Sequence, residues 1–481
     1  MSAGPRLSRL AAKDVRALAP IWIVCLAAMA ASVTLNLAPF RGFGVVLFFF
    51  GLAALGALSF GHEYQHGTMA LLLSLPAQRT RLFLVKVAVL APMLLTVAAA
   101  AALIVFPDVH SAELDRPWLA WRAALYVLCV APWLTMVFRS AIAGAVFTLG
   151  LPGTAVTLAQ PIYFLAYGRL APGEVVLEVM WRSSLALSAI GAVASWRTFA
   201  RLEAIDGNGS PLGLPQWLRW PDAASAPGLT IGHPIWLLVK KELRLQEMAL
   251  VVAGLYVLGW LAALSLTPVF PHAKEVFDIL SIFYSMMIAL QIGSVASAEE
   301  RQLGTLEWQT LLPVGSVTQW TVKVAVVLAL TLLLGLGLPA LLVTSKAFGL
   351  MMWPRLACGI VALAIAGLYV SSACRSGLWS MLMTLSAVLG TMWWLTYLRL
   401  RLSVRLDRTF YAGLVRFDNA LEPAMATVFL ALLLWFAFAN HRFADRASRR
   451  LWLQALWLGG YLTAATIAAV LAGWTFTRSP S

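Results

Sequence analysis

The sequence predicts an all-α polytopic membrane protein of 12–13 transmembrane helices, arranged as two parallel six-helix repeats with cytoplasmic coupling helices. Three observations carry this expectation. Hydrophobic residues make up 61% of the chain and charged residues 12%, with a mean hydropathy of +0.83, far outside the range of water-soluble domains. The apolar residues fall in continuous runs of roughly 18 to 25, the length a helix needs to cross about 30 Å of hydrocarbon. A polar phrase is also written twice: Glu63-x3-Gly67-Thr68-x7-Pro76-x9-Lys86 recurs with the same spacing as Glu300-x3-Gly304-Thr305-x7-Pro313-x9-Lys323.

The runs lie near 20–38, 43–60, 87–106, 118–138, 141–166 and 178–199, and again near 248–266, 277–297, 324–344, 355–373, 377–397 and 421–439, with one more near 452–475. A barrel strand needs only about ten alternating residues, so unbroken apolar runs of this length specify helices. The first run follows Arg6, Arg9, Lys13 and Arg16 but lacks a small-residue cleavage site and leads straight into a second span, so it reads as an uncleaved helix.

The duplication extends beyond the phrase. Gln65 and Gln302 match inside it, Val85-Lys86-Val87-Ala88-Val89 reappears as Val322-Lys323-Val324-Ala325-Val326, and Arg139-Ser140 corresponds to Arg375-Ser376. Ahead of the first span of each set, Lys13-Asp14-Val15-Arg16 resembles Lys241-Glu242-Leu243-Arg244. Because each repeat has an even number of spans, the copies share orientation. The expected domains are a first repeat over 1–200, an interfacial linker over 201–235 rich in Gly, Pro and Trp, a second repeat over 236–445, and an additional C-terminal helix within 446–481.

Orientation follows from the basic residues. With the N-terminus in the cytoplasm, the inner segments collect Arg79, Arg81, Lys86, Arg139, Arg197, Arg201, Lys240, Lys241, Arg244, Arg301, Lys323 and Arg442 to Arg450, while the loop at 107–117 carries Asp108, Glu113 and Asp115. Arg399, Arg401, Arg405, Arg408 and Arg416 run against this pattern, which implies either a surface or re-entrant element there or a different span count. The net charge of +14 is accounted for by the anionic inner leaflet and requires no nucleic acid. Cys25, Cys129, Cys358 and Cys374 all fall in spans, without disulfide or metal spacing, and read as packing residues.

Within the phrase, Gly67 and Gly304 free the backbone to turn after the second span of each half, and Thr68 and Thr305 stand where they can cap a short helix. The apolar stretches 69–75 and 306–312, which include Leu72 and Leu312, end at Pro76 and Pro313, limiting that helix to about two turns. Such a helix cannot span and would lie across the cytoplasmic face. Glu63 and Glu300 precede the turn, where a carboxylate would pair with a basic residue or favour a helix N-terminus.

The Glu-x3-Gly-Thr, Leu-Leu-x-x-Pro and Lys pattern resembles that of ABC-2 type permeases, the membrane subunits of ATP-binding cassette exporters. That resemblance implies that Glu63, Gly67, Thr68, Leu72, Pro76 and Lys86, with Glu300, Gly304, Thr305, Leu312, Pro313 and Lys323, form two coupling elements that dock on ATPase subunits, and that the segments around Lys13 and Lys241 are amphipathic elbow helices. Two departures stand out: most members carry one six-helix unit per chain, and the thirteenth span has no counterpart in them. No Gly-x4-Gly-Lys-Ser/Thr phosphate loop occurs in the sequence. ATP and Mg²⁺ would therefore be held by partner ATPase subunits, two per chain, with no cofactor bound by this one. The implied setting is a multi-pass protein of the plasma or inner membrane, contacting lipid and moving an unidentified cargo.

Two alternatives come from other chemistry. His62-Glu63-Tyr64-Gln65-His66 has the His-Glu-x-x-His form of a zinc protease, with Glu63 as general base. The second copy, Glu299-Glu300-Arg301-Gln302-Leu303, keeps the Glu and loses both histidines, and Asp206 is the only third ligand the sequence offers. An ion-coupled transporter needs ionisable groups within its spans, which here hold almost none; Asp278 lies near a span end.

Overall fold

The computed structural model describes residues 4–33, 38–74, 78–104, 116–169, 171–202, 234–268, 273–302, 314–343, 352–374, 376–403, 408–442 and 448–478. Among them the fold is almost wholly α-helical, with no strand. In chain order the helices are α1 (Gly4–Val33), α2 (Ala38–Gln65), α3 (Met69–Leu73), α4 (Arg79–Ile104), α5 (Arg116–Phe138), α6 (Ala141–Tyr167) and α7 (Gly173–Arg201). They continue as α8 (Pro234–Leu245), α9 (Glu247–Leu266), α10 (Ala273–Gln302), α11 (Ser316–Leu342), α12 (Met352–Ala373), α13 (Gly377–Ser403), α14 (Arg408–Arg442) and α15 (Ser448–Arg478).

Leaving aside the short α3 and α8, these helices coincide one for one with the apolar runs. Nine of them, among the described residues, are long and apolar enough to cross a membrane. Segments Ala141–Thr154 of α6 and Gly377–Met392 of α13 are apolar but shorter. The protein is thus an all-α, multi-pass membrane protein.

The chain separates into two compact units, one of Met1–Gly228 with Trp260–Val276 and one of Leu229–Gly259 with Phe277–Ser481. In the first, α2 is central and packs on α1, α4, α5 and α6. Leu52, Ala53, Leu55, Ala57 and Phe60 along it are fully buried. A small residue sets the closest approach: a Cβ added at Gly56 would lie 2.5 Å from Val127 and 2.7 Å from Ala131 of α5. Small side chains let helix backbones come together where lipid supplies no hydrophobic drive for association.

In the second unit the same position of the repeat, Gly293 on α10, meets α12 at the backbone: an added Cβ would lie 2.3 Å from the Ala364 carbonyl oxygen. Here α12 packs on α11, α13 and α14, and α14 on α15. Among the described residues, two features of this unit have no parallel in the first. A π-helical turn, Leu333–Gly337, interrupts α11 immediately before Pro339. Proline has no N–H to give the carbonyl four residues back, and the wider turn accommodates the missing bond.

The other feature is α15, the expected extra helix. It is tied to α14 by a reciprocal amide pair, Gln454 Nε2 to Asn440 Oδ1 at 3.0 Å and Asn440 Nδ2 to Gln454 Oε1 at 3.1 Å. Tyr461 adds a hydrogen bond to the Met425 carbonyl at 2.8 Å, and Leu458 joins Ile365 and Leu433 in one apolar cluster. Between the eleventh and twelfth runs, the described residues belong to α13 and α14, which extend beyond their apolar lengths. Arg399 and Arg401 stand on the end of α13 and Arg408 and Arg416 on the start of α14, while Arg405 lies outside the described residues.

Candidate functional site

The end of α2 is built by local backbone chemistry. The Gly67 N–H donates to the Tyr64 carbonyl at 3.2 Å and the Thr68 N–H to the Glu63 carbonyl at 2.9 Å, the paired bonds of a Schellman terminus. Its C′ residue must be left-handed, and Gly67 has φ 64°, a conformation that costs a residue with a Cβ. The chain then turns into α3. Thr68 occupies the N-cap position expected of it, but its side chain makes no capping bond; its hydroxyl donates to Glu63 Oε2. The cap is traded for a tether between the turn and the span.

Two side chains of α3, Met69 and Leu72, are buried in a cluster with Phe60, Leu82, Met136 and Phe199. Leu72, expected to face a partner, therefore anchors α3 to its own unit, and the outward side chain is Leu71, 67% exposed. Period 3.6 places neighbouring leucines on opposite faces, and a run of three could not reveal which one faced out. Phe199 meets Phe60 edge-on at 5.7 Å, and Trp196 meets Phe83 at 5.6 Å, bringing the end of α7 into the same cluster.

Beneath this elbow sits a buried ion cluster. Glu63 is 0% exposed and Lys86 1%. The Lys86 ammonium donates to Asp14 Oδ1, to Glu63 Oε1 and to the Ser59 carbonyl, each at 3.1 Å. From α1, Lys13 donates to both oxygens of Glu63 at 2.9 and 3.0 Å. Two acids and two lysines from α1, α2 and α4 thus neutralise one another where single buried charges would be costly.

The second unit holds the same cluster, position for position. Lys323 of α11 pairs with Glu242 at 3.3 Å and with Glu300, and donates to the Ala296 carbonyl at 2.8 Å. From α8, Lys241 donates to Glu300. Glu300 and Lys323 are 0% and 1% exposed. Lys13, Asp14, Glu63, Lys86 and the Ser59 carbonyl correspond to Lys241, Glu242, Glu300, Lys323 and the Ala296 carbonyl. Burial pushes the Glu242 carboxyl above its ordinary value, an effect the Lys323 ammonium opposes. We call each quartet a clasp, since it binds the helix ahead of the first span of its set to the end of the next and to the span beyond the turn.

Of the expected site residues, Glu63, Lys86, Glu300 and Lys323 are thus brought together as internal ties with no surface to offer. Gly67 and Thr68 form the elbow. Pro76, Gly304, Thr305, Leu312 and Pro313 lie outside the described residues. Asp14 and Glu242 were missed as site members, although the matching Lys-Asp and Lys-Glu pairs ahead of each set pointed to them.

The clasps differ at one place. In the first, His62 is buried, its Nδ1 bonded to the Leu58 carbonyl at 3.0 Å and its Nε2 at 3.3 Å from Asp14 Oδ1 and 3.2 Å from Glu63 Oε1. At the matching position of α10 stands Glu299, which interacts with Glu247. The alternative of a His62–His66 zinc pair gains no support, because α2 ends at Gln65 and His66 lies in the turn, exposed. Asp14 brings the donor set of Asp14, His62 and Glu63 within 4.8 Å, a spacing that suits an ion. Lys86, however, already stands against both carboxylates, and Lys323 does so in the second clasp with no histidine present. The cation of this motif is the lysine.

Further along α10, Asp278 is buried with Oδ2 lacking a hydrogen-bond partner. It lies beside Tyr256, whose hydroxyl donates to Ser281 at 2.7 Å and whose ring stacks on Tyr284 at 3.9 Å.

No protein-family model matches this chain, and no curated protein matches its sequence.

Proposed function

We propose that this chain is the membrane permease of an ATP-driven exporter of the ABC-2 type, fusing two six-helix repeats and offering each of two ATPase subunits one cytoplasmic elbow. The observation that carries the reading is the twin clasp: two separate stretches of chain build the same quartet around a buried Glu–Lys pair. A connecting loop needs no such reinforcement. An element that must transmit force does, because a docked partner can move the spans only if the elbow is rigidly joined to them. In the first half that join runs from α3 through Thr68 and Glu63 to Lys13 and Asp14 on α1 and to Lys86 on α4.

In this reading the N-terminus and both elbows are cytoplasmic, the membrane is the plasma or inner membrane, and ATP hydrolysis belongs to the partner. Leu71 supplies the apolar contact of the first elbow, and the buried residues of the phrase hold it in place. The test is reconstitution with ATPase subunits of this class. Bulky replacement of Gly67 and Gly304 together is expected to abolish cargo-linked ATP turnover, and unchanged turnover would overturn the reading.

Asp278 favours a second reading, transport coupled to an ion gradient, since a buried carboxylate oxygen without a donor is the feature such carriers use. Transport in vesicles that persists with ATP absent and an ion gradient imposed, and that Asp278→Asn abolishes, would replace the first reading with this one.

A further inference from the structure

The first clasp holds a group that the second does not repeat. His62 Nδ1 faces the Leu58 carbonyl at 3.0 Å, and a carbonyl only accepts, so Nδ1 carries a hydrogen. That fixes the tautomer. A neutral ring would then turn the Nε2 lone pair toward Asp14 Oδ1 and Glu63 Oε1, at 3.3 and 3.2 Å. Nε2 has no other partner, and the gap leaves no room for a bridging water. With a second proton the ring becomes a donor to both carboxylates, a charge-assisted contact. The charged and polar groups facing it are Lys13 and Asp14 from α1, Lys86 from α4, Glu63 on its own helix and Thr68 in the turn.

We infer that the first clasp is a proton-binding site, with His62 Nε2 as the atom that takes the proton and Asp14 and Glu63 as the oxygens that hold it. At the matching position of the second clasp stands a carboxyl in place of the imidazole, Glu299, which interacts with Glu247, and His441, of α14, lies against the Trp320 ring at 5.5 Å with no hydrogen bond to the quartet among the described residues. Protonation tightens the carboxylates on which the first elbow depends, for Glu63 also receives the Thr68 hydroxyl. Loss of the proton frees the elbow to loosen. The first half therefore responds to pH through an imidazole, a group that the matching position of the second half does not carry. Only the consequence for ATPase docking rests on the function proposed above; proton binding stands or falls without a partner.

Amide hydrogen exchange on the whole chain in detergent, corrected for the intrinsic effect of pH, tests this directly. Between pH 5.5 and 8.5, exchange across 66–74 is expected to rise about five-fold, the scale of one lost hydrogen bond. His62→Gln, whose amide donates without titrating, should abolish the rise, and His66→Gln should leave it intact. A flat profile across 66–74 in the wild-type chain, or a rise that persists in His62→Gln, overturns the inference. Should His62→Gln fail to fold, the imidazole signal of His62 in the wild-type chain, followed by NMR, still decides it: a ring that takes up no proton between pH 8.5 and 5.5 overturns the inference.

Discussion

The two clasps agree in the charge at every position of the quartet, with Asp14 of the first answered by Glu242 in the second, and differ in what surrounds them. Lysines from α1 and α8, acids beside those lysines, glutamates near the ends of α2 and α10 and lysines on α4 and α11 recur with the same partners. Around the first lie His62 and an aromatic cluster that pulls in the end of α7. Around the second, Arg301 donates to the Asn440 carbonyl at 3.0 Å, and Asn440 leads on to Ser372 and Gln454. The second clasp is thus braced by α12, α14 and α15. A buried quartet tolerates no substitution that removes one charge, whereas its supports can diverge freely. The comparison separates what joins each elbow to its spans from what tunes it.

The largest effect is expected on breaking a quartet. Lys86→Met leaves Asp14 without its lysine and Glu63 to Lys13 alone, and Lys323→Met leaves Glu242 and Glu300 to share Lys241. Each should cost about 3–5 kcal/mol, the scale for stranding a buried charge, read by chemical unfolding in mild detergent. Equal losses would support equivalent clasps. A loss under about 1 kcal/mol for either would show that this clasp is not a closed ion cluster.

A smaller cost, confined to the second half, is expected of Asn440→Leu, which strands the amide of Gln454. Leaving a buried polar group unmet costs about 1–3 kcal/mol. Limited proteolysis should detect opening of the second unit while the first keeps its resistance; opening of both would break the assignment of this network to one half.

Gly67→Val addresses the first elbow alone. Forcing a β-branched residue to φ 64° should cost about 1–3 kcal/mol of local strain, visible as faster exchange across 66–74 with the spans unaffected. Smallest in stability is Leu71→Ser, expected to stay within about 0.5 kcal/mol for an exposed position. Under the proposed function it nonetheless lowers ATPase capture in a pull-down, so undiminished capture would separate the exposed leucine from docking.

Much of this was legible in the chain. Apolar run length specified helices because a membrane offers the backbone no other partner for its hydrogen bonds. Gly67 announced a left-handed turn, since the phrase placed it where a span had to end. The duplication singled out Glu63, Lys86, Glu300 and Lys323 as belonging together. It could not say that they touch, because 23 residues separate the acid from the lysine in each copy. Leu72 was misjudged for a related reason: which face of a one-turn helix turns inward depends on Phe60, Met136 and Phe199, which arrive from three other helices.

The sequence by itself determined the helical, membrane-spanning class, the twofold repetition of the phrase and the position of the first turn, all of which follow from local spacing and solvent. Only the tertiary structure decided that Asp14 and Glu242 complete the quartets, that His62 faces two carboxylates while His66 is left outside, and that α15 is fastened to α14. Those outcomes depend on side chains from distant segments meeting in a dry interior, where an unpaired charge is too costly to remain, and no local pattern records such a meeting.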